Sequence, residues 1–228
     1  MKKIFCFLSI LAFGISSAFS QKDVTYTPQQ SYVRYTGTSN AGTLPRPSVE
    51  LAIGLQLYTF KGNMYVPAYN VTESLDPNPS IYFLYSLLVS CNIPLKQIRE
   101  NLYLGLNPNI GLGYSYGSQS FGGDVPIYLT LKYGAASYRG CQKPFGIGAG
   151  VGGMVSGLIT YLGDVDGDVI SYHTGYVTPS VMAEVSFDVG YGNIYQIRTD
   201  FMPVSINKNT ALYQGSVNQV NVRIIRTF

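Results

Sequence analysis

The sequence contains little charge for a chain of 228 residues. Charged side chains make up 12% of it, tryptophan is absent and histidine occurs once. A soluble domain usually has about a quarter of its residues as Asp, Glu, Lys and Arg, so this composition is typical of a protein whose surface does not face water. The net charge of +3 is small and unclustered, which excludes a nucleic-acid partner.

Cysteine is also too sparse for a metal centre. Outside the N-terminal segment the chain has Cys91 and Cys141, and their spacing leaves open whether they form a disulfide or stay as two thiols. The acidic stretch DVDGD (164–168) lacks the spacing of an EF-hand loop and is predicted to be a solvated turn. No metal and no cofactor are therefore expected.

Long apolar runs are absent except at the N-terminus. A basic start and an apolar run at 4–15 are followed by the small-residue pattern AFS at 18–20. This is the pattern of a secretory signal peptide, and the run is too short to cross a bilayer as a helix. The sequence predicts a signal peptide at 1–20, a polar periplasmic extension at 21–47 and one domain at 48–228.

The domain consists of alternating segments. Apolar residues recur at every second position and face Gly or polar residues on the other side, which is the period of a strand with one apolar face. In SVELAIGLQLYTF (48–60), for example, the odd positions from Val49 to Leu57 are aliphatic, whereas Gly54 and Gln56 lie on the opposite face. The eight segments are 48–60, 80–92, 101–116, 124–138, 144–155, 176–189, 193–205 and 216–228.

These segments predict an all-β fold, an eight-stranded antiparallel transmembrane β-barrel. Strands of about ten residues suit a tilted bilayer crossing. The connections alternate between short turns and longer segments, the latter at 61–79, 117–123, 159–175 and 206–215. That alternation favours a multi-pass outer-membrane protein with periplasmic termini and long extracellular loops. A soluble barrel is the competing interpretation, but it would expose rows of glycine to water.

The face opposite the aliphatic one carries charges of both signs. A three-residue turn at 190–192 sets Glu184 opposite Arg198, whereas a shift by two residues would oppose Glu184 to Asp200. Because eight strands enclose room only for side chains, we expect a lumen plug of ion pairs rather than an ion path. The predicted lumen network comprises Glu50, Lys132, Glu184, Asp188, Arg198, Asp200 and Arg223.

Aromatic residues near the strand ends are predicted to anchor the barrel at the two membrane interfaces. The last strand must pair with the first and the seventh predicted strands to close the wall. Arg226 is the one charge that parity places on the lipid face, close enough to the terminus to reach headgroups. The anchoring residues are Phe228, Tyr114, Tyr116, Tyr133, Tyr138, Tyr176 and Tyr195.

Two consecutive motifs resemble a known family. VPIYLTLKYG (125–134) is followed by the glycine-rich FGIGAGVGG (145–153), and the chain ends on Phe228. Together with the N-terminal pattern they are similar to the PorT-like outer-membrane β-barrel family of Bacteroidota. The resemblance covers about residues 48–228 and implies an eight-stranded barrel of the OmpA/OmpX type; a few relatives assist protein secretion. It implies no catalytic residue, and Arg226 departs from the apolar or aromatic residue usual at that position.

Three functions remain open. The first is a non-enzymatic barrel that meets an adhesion or secretion partner through the loops 61–79 and 159–175, with outer-membrane lipid and, through the last strand, the barrel assembly machinery as further partners. The second is a narrow channel for ions or small solutes. The third is a lipid-modifying hydrolase at the rim, which would use His173 with Ser171 and Asp168. The expected His-x-Ser spacing is missing, so no enzyme is predicted.

Overall fold

The computed structural model describes residues 44–228, except 67–69, 77, 79, 138–140, 142, 166–167 and 191–192, and without the side chains of 66, 162–165 and 168–170. The predicted signal peptide and most of the predicted extension at 21–47 lie outside the described residues. Within those residues, no helix is long and apolar enough to span a bilayer.

The described chain forms ten antiparallel strands. Eight long strands build the wall, and two four-residue strands, β2 and β9, lie at one end of it. The strands are β1 (Ser48–Val66), β2 (Val71–Ser74), β3 (Ser80–Arg99), β4 (Leu102–Ser115), β5 (Ser120–Gly134), β6 (Phe145–Val165), β7 (Asp168–Asp188), β8 (Ile194–Phe201), β9 (Ile206–Asn209) and β10 (Tyr213–Thr227).

The wall closes on itself. The long strands are neighbours in the order β1-β3-β4-β5-β6-β7-β8-β10, and β10 pairs back onto β1. That closing register runs from Glu50↔Thr227 to Met64↔Tyr213. The terminal strand thus has β1 on one side and β8 on the other, which confirms the pairing predicted for it.

Aliphatic side chains cover the outside of the barrel. Leu51 is 48% exposed, Leu129 47% and Val185 37%, whereas Arg198 is fully buried inside. A closed wall with an apolar exterior and a charged interior inverts the arrangement of a soluble protein and matches a wall surrounded by hydrocarbon. The chain is therefore an all-β transmembrane β-barrel, and the soluble alternative is wrong.

The two ends of the barrel differ. The terminal end holds Ser48 and Phe228 together with the connections 100–101, 135–144 and 189–193. The opposite end, called the far end here, holds β2, β9 and the β6–β7 hairpin. β2 pairs with the end of β1 and β9 with the start of β10, so that both extend the sheet beyond the bilayer-spanning part.

The long far-end loops predicted from the sequence are largely strand. β6 and β7 stay paired up to Val165↔Asp168, so the described residues of 159–175 belong to these two paired strands. The segment 61–79 likewise contains the end of β1 and all of β2. Backbone pairing continues beyond the bilayer, where apolar and polar residues no longer alternate. The alternation in the sequence therefore predicts strands that are shorter than the observed ones.

Glycines on the inner face allow large side chains to lie against the wall. A Cβ added to Gly148 would lie 2.7 Å from Oε1 of Glu184, which pairs with it across β6 and β7. On the outer face of the same strand, a Cβ on Gly157 would meet nothing closer than 3.4 Å. The inner glycine is required by packing, and the outer one is not.

We therefore expect Gly148→Ala to lower the free energy of unfolding by about 1–3 kcal/mol, because its methyl group displaces Glu184. Urea denaturation of the barrel in zwitterionic vesicles measures this. The matched control Gly157→Ala should change stability by less than about 0.5 kcal/mol. Equal losses in the two variants would contradict the close packing of Glu184 on Gly148.

Candidate functional site

Two carboxylates and two cations form a buried cluster in the terminal half of the lumen. Glu184 lies opposite Arg198 in the β7–β8 register, as predicted. Arg198 Nη2 is 2.8 Å from Glu184 Oε2 and 2.9 Å from Glu50 Oε2. Lys132 Nζ is 2.9 Å from Glu184 Oε1 and 3.6 Å from Glu50 Oε1. These charges balance within one cluster, which is the condition under which ionised groups can stay buried.

Neutral polar side chains complete the shell around Arg198. Its Nη1 donates to Asn107 Oδ1 at 2.9 Å and to Asn109 Oδ1 at 3.0 Å, while Nε donates to Glu184 Oε2 at 2.9 Å. Ser90 Oγ donates to Glu50 Oε2 at 2.5 Å. All three guanidinium nitrogens thus have acceptors supplied by β4, β7 and β1.

A second cluster lies deeper in the barrel and contains a residue that the sequence analysis missed. Arg223 donates through Nη1 to Asp200, and its Nη2 is 2.5 Å from Asp124 Oδ2. Gln56 and Asn221 also donate to Asp124, at 2.9 and 3.0 Å. Asp124 opens the predicted fourth strand after two glycines, and the predicted lumen network does not include it. Asp124 lies at an even position of this strand, like the inward-facing Lys132, and this alternation predicts that its side chain points into the lumen.

Asp188 does not join either cluster. It ends β7 half-buried, and its Oδ1 accepts a hydrogen bond of 2.8 Å from the N–H of Gly190. Gly190 has a φ of 103°, which glycine adopts without strain. Among the described side chains Asp188 forms no ion pair, so its predicted place in the lumen network is corrected to a turn at the terminal mouth.

Aromatic and aliphatic side chains fill the far half of the interior. The ring of Phe60 meets those of Tyr82, Tyr172 and Tyr213 edge to face, at centroid distances of 5.4, 6.1 and 5.4 Å. Burial raises the pKa of Tyr213 to about 12, and its hydroxyl lies 2.6 Å from the carbonyl oxygens of Lys61 and Ser216. The described side chains at this end of the lumen form a packed aromatic and aliphatic core.

The described start of the β5–β6 connection, residues 135–137, lies at the terminal mouth. Ala135, Ala136 and Ser137 are buried, and Asn92 Nδ2 donates to the carbonyl of Ser137 at 3.3 Å. Cys141 is also buried, and like Cys91 it is a free thiol, so the two cysteines do not form a disulfide. Throughout the part of the chain that the structure describes, side chains occupy the lumen from one mouth to the other.

The predicted anchoring residues divide into two groups. Tyr114, Tyr116, Tyr133 and Phe228 are exposed on the outer wall, and Tyr195 is half-buried there. Tyr138 lies outside the described residues. The remaining aromatic residue points into the lumen.

That residue is Tyr176, and its predicted place at the interface is wrong. It is buried, and its hydroxyl donates to Gln219 Oε1 at 2.8 Å. It shares the even, inward parity of Glu184 on β7, a signal that its position near a strand end had hidden.

Arg226 lies on the outer wall, as its parity predicted. The guanidinium carbon is 4.9 Å from the ring centroid of Phe228 and 6.0 Å from that of Tyr195. Nη2 donates to Asn193 Oδ1 at 3.3 Å. Stacking on aromatic faces suits an arginine at the edge of a bilayer, where it keeps its charge in contact with water.

Ser171 and His173 lie together on the outer face of β7, at the far end. Ser171 Oγ is 2.7 Å from His173 Nε2. The imidazole borders an apolar groove of about 410 Å³ that crosses Gly123, Gly157 and Gly175. The side chain of Asp168 is outside the described residues, and no described carboxylate contacts the imidazole. The order is Ser-x-His, the reverse of the spacing sought in the sequence.

No family model matches this chain, and no curated protein is similar to it in sequence. The PorT-like resemblance therefore stays a prediction.

Several solved structures are similar in fold. Neisserial surface protein A is 11% identical with a TM-score of 0.44, over 80% of this chain and 99% of that one. Ail, the attachment invasion locus protein of Yersinia pestis, is 7% identical with a TM-score of 0.45, over 81% and 100%. The outer membrane protein OprG from Pseudomonas aeruginosa is 11% identical with a TM-score of 0.37, over 81% and 98%. Similarity at this level carries no property of those proteins over to this chain.

Arg198→Met is expected to lower the free energy of unfolding by about 3–5 kcal/mol, because it leaves Glu50 and Glu184 with one cation between them. Urea titration in zwitterionic vesicles again supplies the measurement. Adding Glu184→Gln should recover part of the loss, since the two residues share one network. Arg99→Met, on the exposed rim, is the control, and a loss there as large as at Arg198 would refute the role given to the buried cluster.

Proposed function

We propose that this chain is a non-enzymatic, non-conducting outer-membrane barrel that presents a rigid sheet at its far end to a partner protein, in adhesion or in a secretion assembly. The observation that carries the proposal is the filled interior. Ion pairs around Arg198 and Arg223 occupy the middle of the lumen, and the aromatic cluster around Phe60 closes its far half. A filled lumen offers no route for solutes, which leaves the extended far end as the surface for function.

The shape of the wall supports the proposed location and orientation. Closed barrels with an apolar exterior are the form in which β-strands cross an outer membrane. The terminal end carries both the start of β1 and the end of β10, which favours a periplasmic position for it and an extracellular position for the far end. The predicted signal peptide and the PorT-like resemblance agree with export to that membrane.

We infer that the partner docks on the edge of β7 at the far end of the barrel. β8 pairs with β7 only from Val181 to Asp188, because β8 ends at Phe201 and the chain passes to β9, which joins β10. Among the described residues, no strand pairs with the rest of that edge. Lys208 Nζ reaches across to the carbonyl oxygen of Gly175 at 2.5 Å. Unpaired edges of this kind accept an extended segment through main-chain hydrogen bonds.

A photo-crosslinking residue at position 171, on the β6–β7 hairpin, is expected to capture a specific protein in intact cells. The same crosslinker at Asn63, which faces outward from β1 at the same end, serves as the matched control. A partner on the free edge of β7 should give at least about ten times more adduct at Ser171, the ratio expected for a site held about 1.4 kcal/mol more favourably.

Equal or absent adducts at both positions would contradict the docking edge.

Planar-bilayer recordings test whether the barrel conducts ions. The filled lumen is expected to give no unitary currents. Currents that change with Glu184→Gln would establish a channel instead.

Hydrolysis of an acyl ester at the outer wall is a second candidate function, favoured by the 2.7 Å contact between Ser171 and His173. An imidazole at this distance is placed to accept the proton of a serine nucleophile, and the neighbouring groove is apolar. The described residues supply no carboxylate to orient the ring, which separates the pair from a complete triad.

We expect a fluorophosphonate probe to label the wild-type barrel no more strongly than Ser171→Ala, because a serine without an oriented base is not activated. The readout is gel fluorescence of the folded protein in vesicles. Labelling that disappears in both Ser171→Ala and His173→Ala would overturn this expectation and identify a hydrolase.

A further inference from the structure

Exposed cations surround the terminal end of the barrel. Arg99 ends β3, Lys143 precedes β6 and Arg226 lies near the end of β10. Among the residues that the structure describes at this end, the exposed cations are Arg46, Lys96, Arg99, Lys143 and Arg226, and this set is called the basic collar here. The described acidic residues at this end are Glu100 and Asp188, and the carboxylate of Asp188 is occupied by the turn at Gly190. The rim is therefore positive.

Two members of the basic collar point outward from the wall itself. Lys96 pairs with Leu104 and Arg99 with Leu102 across β3 and β4. Those leucines lie on the outer face of β4, the face that also carries Ile110 further along the strand. The two cations thus project sideways, toward whatever surrounds the barrel, and away from the mouth.

A row of aromatic residues marks the membrane boundary at the same level. Phe145 pairs with Phe187, their ring centroids 5.6 Å apart, and Phe187 pairs with Tyr195. Tyr195 in turn pairs with Arg226, whose guanidinium lies over the ring of Phe228. Aromatic rings concentrate at the depth of lipid headgroups, so the basic collar lies where phosphates are.

The far end has no such collar. Its described cations are Lys61 and Lys208, and they are matched in number by the exposed Glu73 and Asp76. Lys208 is also engaged with the carbonyl oxygen of Gly175. The excess of positive charge is confined to one rim of the wall.

We propose that the basic collar binds the anionic headgroups of glycerophospholipids in the leaflet that surrounds the terminal end. Phosphate oxygens accept hydrogen bonds from Arg and Lys, and each cation near an anionic bilayer surface contributes about 1 kcal/mol to the attraction. The inference rests on the transmembrane position of the barrel and is independent of any protein partner at the far end.

Native mass spectrometry of the intact barrel, released from micelles holding equimolar phosphatidylglycerol and phosphatidylcholine, tests the proposal. The wild type should retain phosphatidylglycerol at least about fivefold over phosphatidylcholine, the ratio expected from one cation at an anionic surface. Arg46→Gln, Lys96→Gln, Arg99→Gln, Lys143→Gln and Arg226→Gln combined should bring the ratio to about one, since the variant removes every member of the basic collar.

Lys61→Gln with Lys208→Gln is the matched control and should retain the wild-type ratio. Arg99→Lys with Arg226→Lys should also retain it, and high salt should lower it. If this combined variant does not fold, the pairs Lys96→Gln/Arg99→Gln and Lys143→Gln/Arg226→Gln should each lower the ratio. An unchanged ratio in the collar variants, or an equal loss in the far-end control, would overturn the proposal. None of these results depends on whether Ser171 captures a partner protein.

Discussion

Because hydrocarbon surrounds the wall, each charged side chain in the lumen must pair with an opposite charge that is also in the lumen. Arg198 satisfies this constraint with Glu50 and Glu184, and Arg223 satisfies it with Asp124 and Asp200. The inner glycines exist because these side chains need space against the wall, as Gly148 does beside Glu184. The composition of the chain follows from the same condition, since a few paired charges suffice for a protein whose exterior is apolar.

A filled interior also determines where function can reside. Small transmembrane barrels leave either the lumen, the rims or the surface beyond the bilayer for contact with other molecules. Here the ion pairs and the aromatic cluster around Phe60 fill the lumen. The basic collar lies at one rim, and the free edge of β7 lies beyond the bilayer at the opposite end of the wall. One end suits a protein, and the other suits phosphate headgroups.

The fold could be predicted from the sequence because apolar and polar residues alternate along a strand wherever one of its faces meets lipid. Leu51 and Leu129 lie outside and Arg198 inside, as the alternation required. The same signal failed at strand ends. The predicted lumen network omits Asp124, at the start of a predicted strand, and wrongly includes Asp188. The segment 159–175 is predicted as a loop because both faces of a hairpin in water can be polar. Side-chain contacts across the lumen, such as Arg223 with Asp124, join residues far apart in sequence and leave no local trace.

The partners of Arg198 come from distant parts of the chain, and Glu50 stands 148 residues away from it. The β7–β8 hairpin brings Glu184 to Arg198 but cannot supply Glu50, because β1 and β8 become near neighbours only through β10. If single β-strands entered the lipid one at a time, an unpaired guanidinium would be exposed to hydrocarbon. Ring closure and membrane entry must occur as one cooperative event, whose pace is governed by contacts of high sequence separation.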